Sequence, residues 1–248
     1  MRTLALVVAY DGSGFHGWQV QPGQRTVQGV LEEALAGLLG KAVRVHAAGR
    51  TDTGCHARGQ VASFACDTTL PVTALPPALN TRLPEDVRVR DARAAHDAFD
   101  ARRSATARRY SYRLLDAEDL LMRRIAWHPR RRIAAEGLER AVRPLEGDHD
   151  CAALQAAGST ATVTRCEVRR AGWRRWDGGL VLDMISNHFL YHMVRNVVGT
   201  ALMLQNEPDP GAAMLAVLRS GDRVNAGPTA PPEGLCLEQV FYPEAVWA

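Results

Sequence analysis

Residues 3–14 read TLALVVAYDGSG, and this stretch indicates how the chain begins to fold. Its first part, Thr3 to Tyr10, is an apolar run rich in residues that favour β-strands, and the Asp-Gly-Ser-Gly that follows is a turn signal. A helix is predicted next. Apolar residues recur at helical spacing after Thr26, a favourable N-cap, and Gly40 closes the run.

The same alternation of strand and helix continues along the chain. Strands are predicted at 43–47, 60–66 and 87–94, with a helix at 73–83, and this order is that of a ferredoxin-like fold. The second half is similar, with strands predicted at 105–115, 163–170, 179–187 and 235–241, and helices at 134–145, 190–204 and 212–219. We therefore predict an α+β protein of two ferredoxin-like (RNP-like) α/β halves, residues 1–100 and 101–248. Their antiparallel sheets are expected to lie side by side with an active cleft between them.

The composition is that of an ordinary globular enzyme, with 46% hydrophobic and 23% charged residues in a chain of 248. No apolar run approaches the ~20 residues that a membrane-spanning helix requires, and we expect no signal peptide. The five cysteines are scattered and show no C-x-x-C spacing. This pattern argues against a disulfide framework and a zinc site, fits a reducing compartment, and predicts a cytoplasmic location.

The basic residues are almost all arginine, since Lys41 is the single lysine among 30 basic residues. A GC-rich genome would explain that bias without any function. The placement of the arginines is more informative, because they crowd residues 102–113 and 123–132. Guanidinium groups bind phosphates in bidentate fashion. The two clusters therefore predict either nucleic-acid contacts or a solvated charged face.

The loop with the clearest chemical content lies within AAGRTDTGCHARGQVASF, residues 47–64. It places Asp52 between Gly49 and Gly54, which allow sharp backbone turns and could present the carboxylate outward. Arg50 could hold that carboxylate ionised or contact a phosphate. The residues alone leave two interpretations open: a functional carboxylate, or a turn aspartate that makes a local hydrogen bond.

The string G-R-T-D-x-G-x-H-A within this loop resembles the active-site motif of the tRNA pseudouridine synthase A family. Further segments resemble that family in the same order along almost the whole chain, which makes a chance match very improbable. These segments are YDGSGFHGWQVQ (10–21), FDARRSATARRYSY (99–112), HFLYHMVRNVVG (188–199) and APPEGLCLEQV (230–240).

The resemblance implies a role for four side chains. Asp52 would be the catalytic aspartate, and Arg195 would pair with it from the second half of the chain. Tyr112 would stack on the target uracil, while Arg50 would help to extrude the base. Tyr110 alternates with Tyr112 along the predicted strand, and one of these two tyrosines is expected to belong to the core.

The resemblance also implies a reaction and its partners. The enzyme would be a homodimer that binds the anticodon stem-loop of tRNA and isomerises uridines at positions 38 to 40, without cofactor, metal or membrane. Asp52 would act either as a nucleophile or as a base that removes a ribose proton. Alternatives are the same chemistry on another RNA and a catalytically silent RNA-binding protein. A metal-dependent hydrolase is disfavoured, because the sequence shows no paired carboxylates or histidine cluster with ligand spacing.

The chain departs from the family pattern at several places. Arg103 stands where phenylalanine is usual, and Thr53 and Cys55 replace small and aliphatic residues after the aspartate. The segment 116–132 is short, and residues 149–159 lack the expected phenylalanines. These differences concern loops that could hold RNA, so they affect the predicted substrate range more than the reaction.

Overall fold

The computed structural model describes residues 1–159 and 162–248, which form two compact units. Unit 1 comprises residues 1–106 and 236–248, and unit 2 comprises residues 107–235. Both units combine helices with β-strands, so the predicted α+β class is confirmed. In the described parts of the chain no helix is both long and apolar enough to cross a membrane.

Unit 1 follows the predicted order of elements and ends with a strand from the end of the chain. Its elements are β1 (Arg2–Tyr10), α1 (Val27–Leu39), β2 (His46–Ala47), β3 (His56–Cys66), α2 (Leu75–Asn80), β4 (Val87–Ala95) and β9 (Leu235–Phe241). Strand β1 lies between β3 and β4 and is antiparallel to both. The short β2 pairs with β3 in antiparallel fashion, and β9 pairs with the start of β3 in parallel.

The ends of α1 are set by the two residues that the sequence indicates. The Thr26 hydroxyl accepts a hydrogen bond from the Gly29 N–H, and Gly40 ends the helix in the left-handed conformation at φ 69°. Both predicted caps are thereby confirmed, and they satisfy backbone groups that a helix end leaves unpaired. The apolar face of the helix places Leu31 and Leu35 in the core with no exposed surface.

Unit 2 is an antiparallel sheet with three helices. Its elements are β5 (Ala107–Leu115), α3 (Ala135–Val142), β6 (Gly147–Asp150), β7 (Arg165–Trp176), β8 (Gly179–Ser186), α4 (Met193–Leu204) and α5 (Pro210–Ser220). The strands lie in the order β5-β8-β7-β6. Fully buried side chains from the helices and β8 form its core, among them Leu138, Val197, Met214 and Leu182.

The observed elements differ from the prediction at several places. The strand predicted at 43–47 is reduced to His46–Ala47, and the helix predicted at 73–83 is confined to Leu75–Asn80. Strand β6 was not predicted. The last thirteen residues, which we predicted in the second half, pack with unit 1 because β9 pairs with β3. Unit 2 begins at residue 107, close to the predicted boundary at residue 100.

Unit 2 contains a buried carboxylate held by two arginines. Asp183 on β8 is 2% exposed. Arg109 of β5 donates to its Oδ1 at 2.7 Å, and Arg174 of β7 donates to its Oδ2 at 2.8 Å. Burial acts to raise the pKa of Asp183, but the hydrogen bonds from the two guanidinium groups outweigh it, so the pKa lies below its ordinary value. The ionised carboxylate therefore joins three neighbouring strands, and protonation would weaken its bonds to both arginines.

The Asp183 cluster predicts an acid-dependent stability. A carboxylate whose pKa is lower in the folded state stabilises the fold above its unfolded pKa of about 3.9 and loses this contribution as pH falls through the folded value. Asp183→Asn should cost about 1.5–3 kcal/mol at pH 7, because it removes hydrogen bonds to a charged group. The difference in the free energy of unfolding between the variant and the intact chain should become smaller below about pH 4. Urea unfolding at pH 3 to 7 measures it, and a constant difference would contradict this account.

Candidate active site

Asp52 lies in the loop that connects β2 to β3. The Cys55 N–H donates to the Asp52 carbonyl at 3.1 Å, which closes a tight turn. Gly54 within that turn has φ 80°, a conformation that residues with a side chain rarely adopt. The Asp52 side chain is half-buried. The predicted glycine-dependent turn is therefore present, and it presents the aspartate at the end of the strand.

The segment from Gly12 to Trp18 holds the loop from the other side. The Trp18 N–H donates to the Thr51 carbonyl at 3.0 Å, and the Gly54 N–H donates to the Phe15 carbonyl at 3.4 Å. Gly17, with φ 81°, lies so close that an added Cβ would be 2.8 Å from the Thr51 carbonyl oxygen. The residues on both sides of Asp52 are thus fixed by main-chain contacts with the segment from Gly12 to Trp18.

Gly12 makes the closest of these approaches. A Cβ added at Gly12 would lie 1.9 Å from the Cys55 carbonyl oxygen, a distance that no real side chain can occupy. The Gly12 N–H also donates to Nδ1 of the buried His56 at 3.1 Å, and Asp11 Oδ1 lies 3.2 Å from the same nitrogen. These contacts support the expectation that His56 has a structural role.

Arg50 and Arg195 are placed on different elements. Arg50 lies in the loop before Asp52 and is exposed. Arg195 lies in the first turn of α4, is half-buried, and donates from Nε to the Ala230 carbonyl at 2.6 Å. The Ala230 N–H donates back to the Arg195 carbonyl at 3.1 Å. The loop that carries Ala230 therefore fixes the direction of the Arg195 side chain.

Tyr110 and Tyr112 share one face of β5 but have different surroundings. Tyr112 has no exposed surface, its hydroxyl donates to the Pro231 carbonyl at 2.8 Å, and its ring meets Trp127 edge-on. A Cβ added at Gly234 would lie 2.6 Å from the Tyr112 ring. Tyr110 is 9% exposed and packs edge-on against Phe189 with ring centroids 4.9 Å apart. Tyr112 is thus enclosed within unit 2 on several sides.

Several residues that shape the loop were not predicted as site residues. Tyr10, Thr51 and Gln60 make buried side-chain contacts at the loop that carries Asp52. Thr51 precedes Asp52 in its motif, so its proximity to Asp52 was a usable signal, whereas Tyr10 stands in the separate segment 10–21. Gln60 lies in a predicted strand and carried no signal. Within residues 1–159 and 162–248 no group of three or more His, Cys, Asp or Glu side chains could hold a metal ion.

Because Gly12 lies so close to the loop, the stability of the protein should depend strongly on the absence of a side chain at this position. Gly12→Ala should lower the free energy of unfolding by about 1–3 kcal/mol, because the added methyl must displace the Cys55 carbonyl. Gly14→Ala is the matched control. Its Cβ would meet only the ends of the Arg25 and Asp86 side chains, at 3.3 and 3.7 Å. Thermal unfolding of both variants measures the difference, and equal melting temperatures would refute the importance of this contact.

Comparison with known proteins identifies the family to which the chain belongs. A family model described as tRNA pseudouridine synthase matches residues 6–102 and 141–243. The chain is 38% identical over 245 residues to a tRNA pseudouridine synthase A from Geotalea uraniireducens (strain Rf4), covering 98% of this chain and 100% of the relative. It is 40% identical over 246 residues to one from Moorella thermoacetica, covering 98% and 100%. A relative of the same name from Myxococcus xanthus is 40% identical over 245 residues, covering 98% of this chain and 92% of the relative. The chain therefore belongs to the tRNA pseudouridine synthase family.

Proposed function

We propose that this chain isomerises uridines at positions 38 to 40 of the tRNA anticodon stem-loop to pseudouridine, with Asp52 as the catalytic carboxylate. As a member of the family, it is an isomerase that acts on tRNA uridines. The single observation that carries the residue assignment is the presentation of Asp52. Its loop lies in a tight turn and is held by main-chain contacts from a second segment. Such fixation is what a reacting group requires.

The chemistry needs one ionised carboxylate and no external reactant. The N1–C1′ bond breaks, the uracil turns, and C5 bonds to C1′. The proton on C5 is lost and N1 gains one, so the overall composition is unchanged. Asp52 would serve either as the nucleophile that attacks the substrate or as the base that removes a ribose proton. Both routes place the same demand on the loop, namely a carboxylate held at a fixed position.

Two arginines are proposed to assist the reaction, one through the substrate base and the other through Asp52. A uracil within a stacked stem must be flipped out, at a cost of roughly a few kcal/mol. Arg50 is exposed and next but one to Asp52 in the chain, and we assign it to extrusion of the base. Arg195, whose side chain is directed by its bond to Ala230, is assigned to pair with the Asp52 carboxylate, as the family resemblance implies.

The remaining parts of the proposal concern assembly, fold and location. The strand order β4-β1-β3-β2 in unit 1 supports the ferredoxin-like interpretation of that half. In unit 2, β5 and β7 flank β8, as the first three strands of such a fold would. The homodimer and the cytoplasmic location implied by the sequence stay predictions. Sedimentation of the purified chain tests the dimer.

The first experiment maps pseudouridine by nucleotide in unmodified tRNA, with no metal added, for the intact chain and for Asp52→Asn. The intact chain should form pseudouridine at positions 38 to 40, and the variant should bind the RNA but form none. Asparagine keeps the shape of the side chain and removes its charge. Pseudouridine at another position would assign a different substrate site. Turnover by the variant would remove Asp52 from the mechanism.

A second experiment distinguishes the two tyrosines of β5. We predicted Tyr112 as the side chain that stacks on uracil, and its enclosure favours Tyr110 for this role instead. Tyr110→Ala should then lose about 1–3 kcal/mol of interaction with the flipped base, seen as a lower single-turnover rate of the folded protein. It should also lower the melting temperature, because the buried ring packs against Phe189. Tyr112→Phe should lower the melting temperature, because it removes the bond to Pro231, a loss of about 1 kcal/mol. A lower rate for Tyr112→Phe but not for Tyr110→Ala would restore the assignment to Tyr112.

A further inference from the structure

A buried network of three hydrogen-bonded side chains contacts the loop that carries Asp52. Tyr10, at the end of β1, has its Oη 2.7 Å from Oγ1 of Thr51, the residue that precedes the aspartate. Tyr10 is 5% exposed and Thr51 is 7% exposed, so water does not compete for this bond. Its length is typical of a good hydroxyl–hydroxyl hydrogen bond.

Gln60 of β3 extends the network to the other side of the loop. Its Nε2 donates to the Gly49 carbonyl at 2.7 Å and lies 3.5 Å from Tyr10 Oη. The bond to Gly49 fixes the orientation of the amide, because the opposite orientation would bring two oxygens together. Gln60 has no exposed surface. The network thus contacts the loop at residue 49 and again at residue 51.

Thr51 is consequently held at two points. Its side chain contacts Tyr10, and its carbonyl accepts the Trp18 N–H at 3.0 Å. Few torsions separate this restrained residue from the Asp52 carboxylate, so the restraint limits where the reacting group can lie. A displacement of about 1 Å at an active site can cost roughly 100-fold in rate, so this double restraint has a functional consequence.

A contribution to stability alone does not explain the hydrogen-bonded network of Tyr10, Thr51 and Gln60. The Gln60 Oε1 is buried and has no hydrogen-bond partner among the described residues. An unsatisfied buried acceptor destabilises the folded state, a cost that an apolar side chain at this position would avoid. The pairing of β1 with β3 also shifts register between Val8 and Tyr10, opposite Gln60 and Ala57. Bulges of this kind redirect side chains beside active sites, and here the shift brings Tyr10 and Gln60 to the loop.

We propose that Tyr10, Thr51 and Gln60 form a positioning device that holds Asp52 in its reactive geometry. The inference rests on the proposed function, because it assigns its purpose to the carboxylate of Asp52. None of the three side chains is proposed to react. They act through Thr51, whose hydroxyl and carbonyl are both engaged, and their effect should appear in the rate of the chemical step more than in RNA binding.

A matched pair of variants at Thr51 tests the device. Thr51→Val keeps the shape of the side chain and removes the hydroxyl, whereas Thr51→Ser keeps the hydroxyl. Thr51→Val should lower the single-turnover rate at saturating enzyme about 10- to 100-fold, with tRNA affinity within about twofold. Thr51→Ser should restore most of the rate. A merely structural role would instead lower the melting temperature and leave the rate of the folded fraction unchanged.

A double-mutant cycle identifies the partner of Thr51. Tyr10→Phe should reproduce the rate loss of Thr51→Val, and the double variant should be no slower than either single variant, because each removes the same bond. Tyr242→Phe is the control. Tyr242 lies in the same unit as Tyr10, and this substitution likewise removes a tyrosine hydroxyl, which donates to the Ala101 carbonyl at 2.6 Å. Tyr242→Phe should keep the full rate, and additive losses at Tyr10 and Thr51 would overturn the proposal.

The Asp52→Asn variant, measured under the same conditions, distinguishes the catalytic role of Asp52 from the positioning role of the three side chains. If Asp52→Asn is inactive while Thr51→Val and Tyr10→Phe retain the full rate, Asp52 stays catalytic and the positioning device is refuted. If Asp52→Asn remains active, the proposed mechanism and the device fall together. Inactive Asp52→Asn with a slowed Thr51→Val and a restored Thr51→Ser supports both.

Discussion

The close approach of two backbone segments is the constraint on which the site depends. Residues 12–18 and 51–55 lie so near each other that neither Gly12 nor Gly17 could carry a side chain without displacing a carbonyl of the loop. Backbone packed this tightly leaves little freedom to the turn that presents Asp52. Loops on protein surfaces are usually mobile, and this loop gains its order from a second segment. The glycines at 12 and 17 therefore affect the site without any chemistry of their own.

The sequence predicts the fold well where structure is local. Helix α1 was predicted with its caps because Thr26 and Gly40 are adjacent to the residues they serve. Strand β9 was predicted with its observed bounds, but its partner was not. The pairing of β9 with β3 joins residues about 180 positions apart, and no periodicity in either strand encodes that choice. The same reason explains why the last thirteen residues pack with unit 1.

The site shows the same division between local and distant information. The turn at Gly54 was predictable, because a glycine two positions after an aspartate is a local signal. The choice between Tyr110 and Tyr112 was not, since alternate residues of a strand lie on one face. Tyr112 is enclosed by residues from other parts of the sequence, namely Trp127, Pro231 and Gly234. Sequence spacing places both rings correctly, and only packing from distant residues distinguishes them.

The two arginine clusters look alike in the sequence, but their side chains have different surroundings in the folded protein. In the first cluster, Arg109 is engaged by Asp183, and Arg108 donates to the Asn187 carbonyl. The five arginines of the second cluster are all exposed, and none forms an ion pair within residues 1–159 and 162–248. They are Arg123, Arg124, Arg130, Arg131 and Arg132. Charge that no carboxylate compensates remains available to phosphates. The second cluster is accordingly the stronger candidate for contacts with RNA, whereas Arg108 and Arg109 of the first serve the sheet of unit 2.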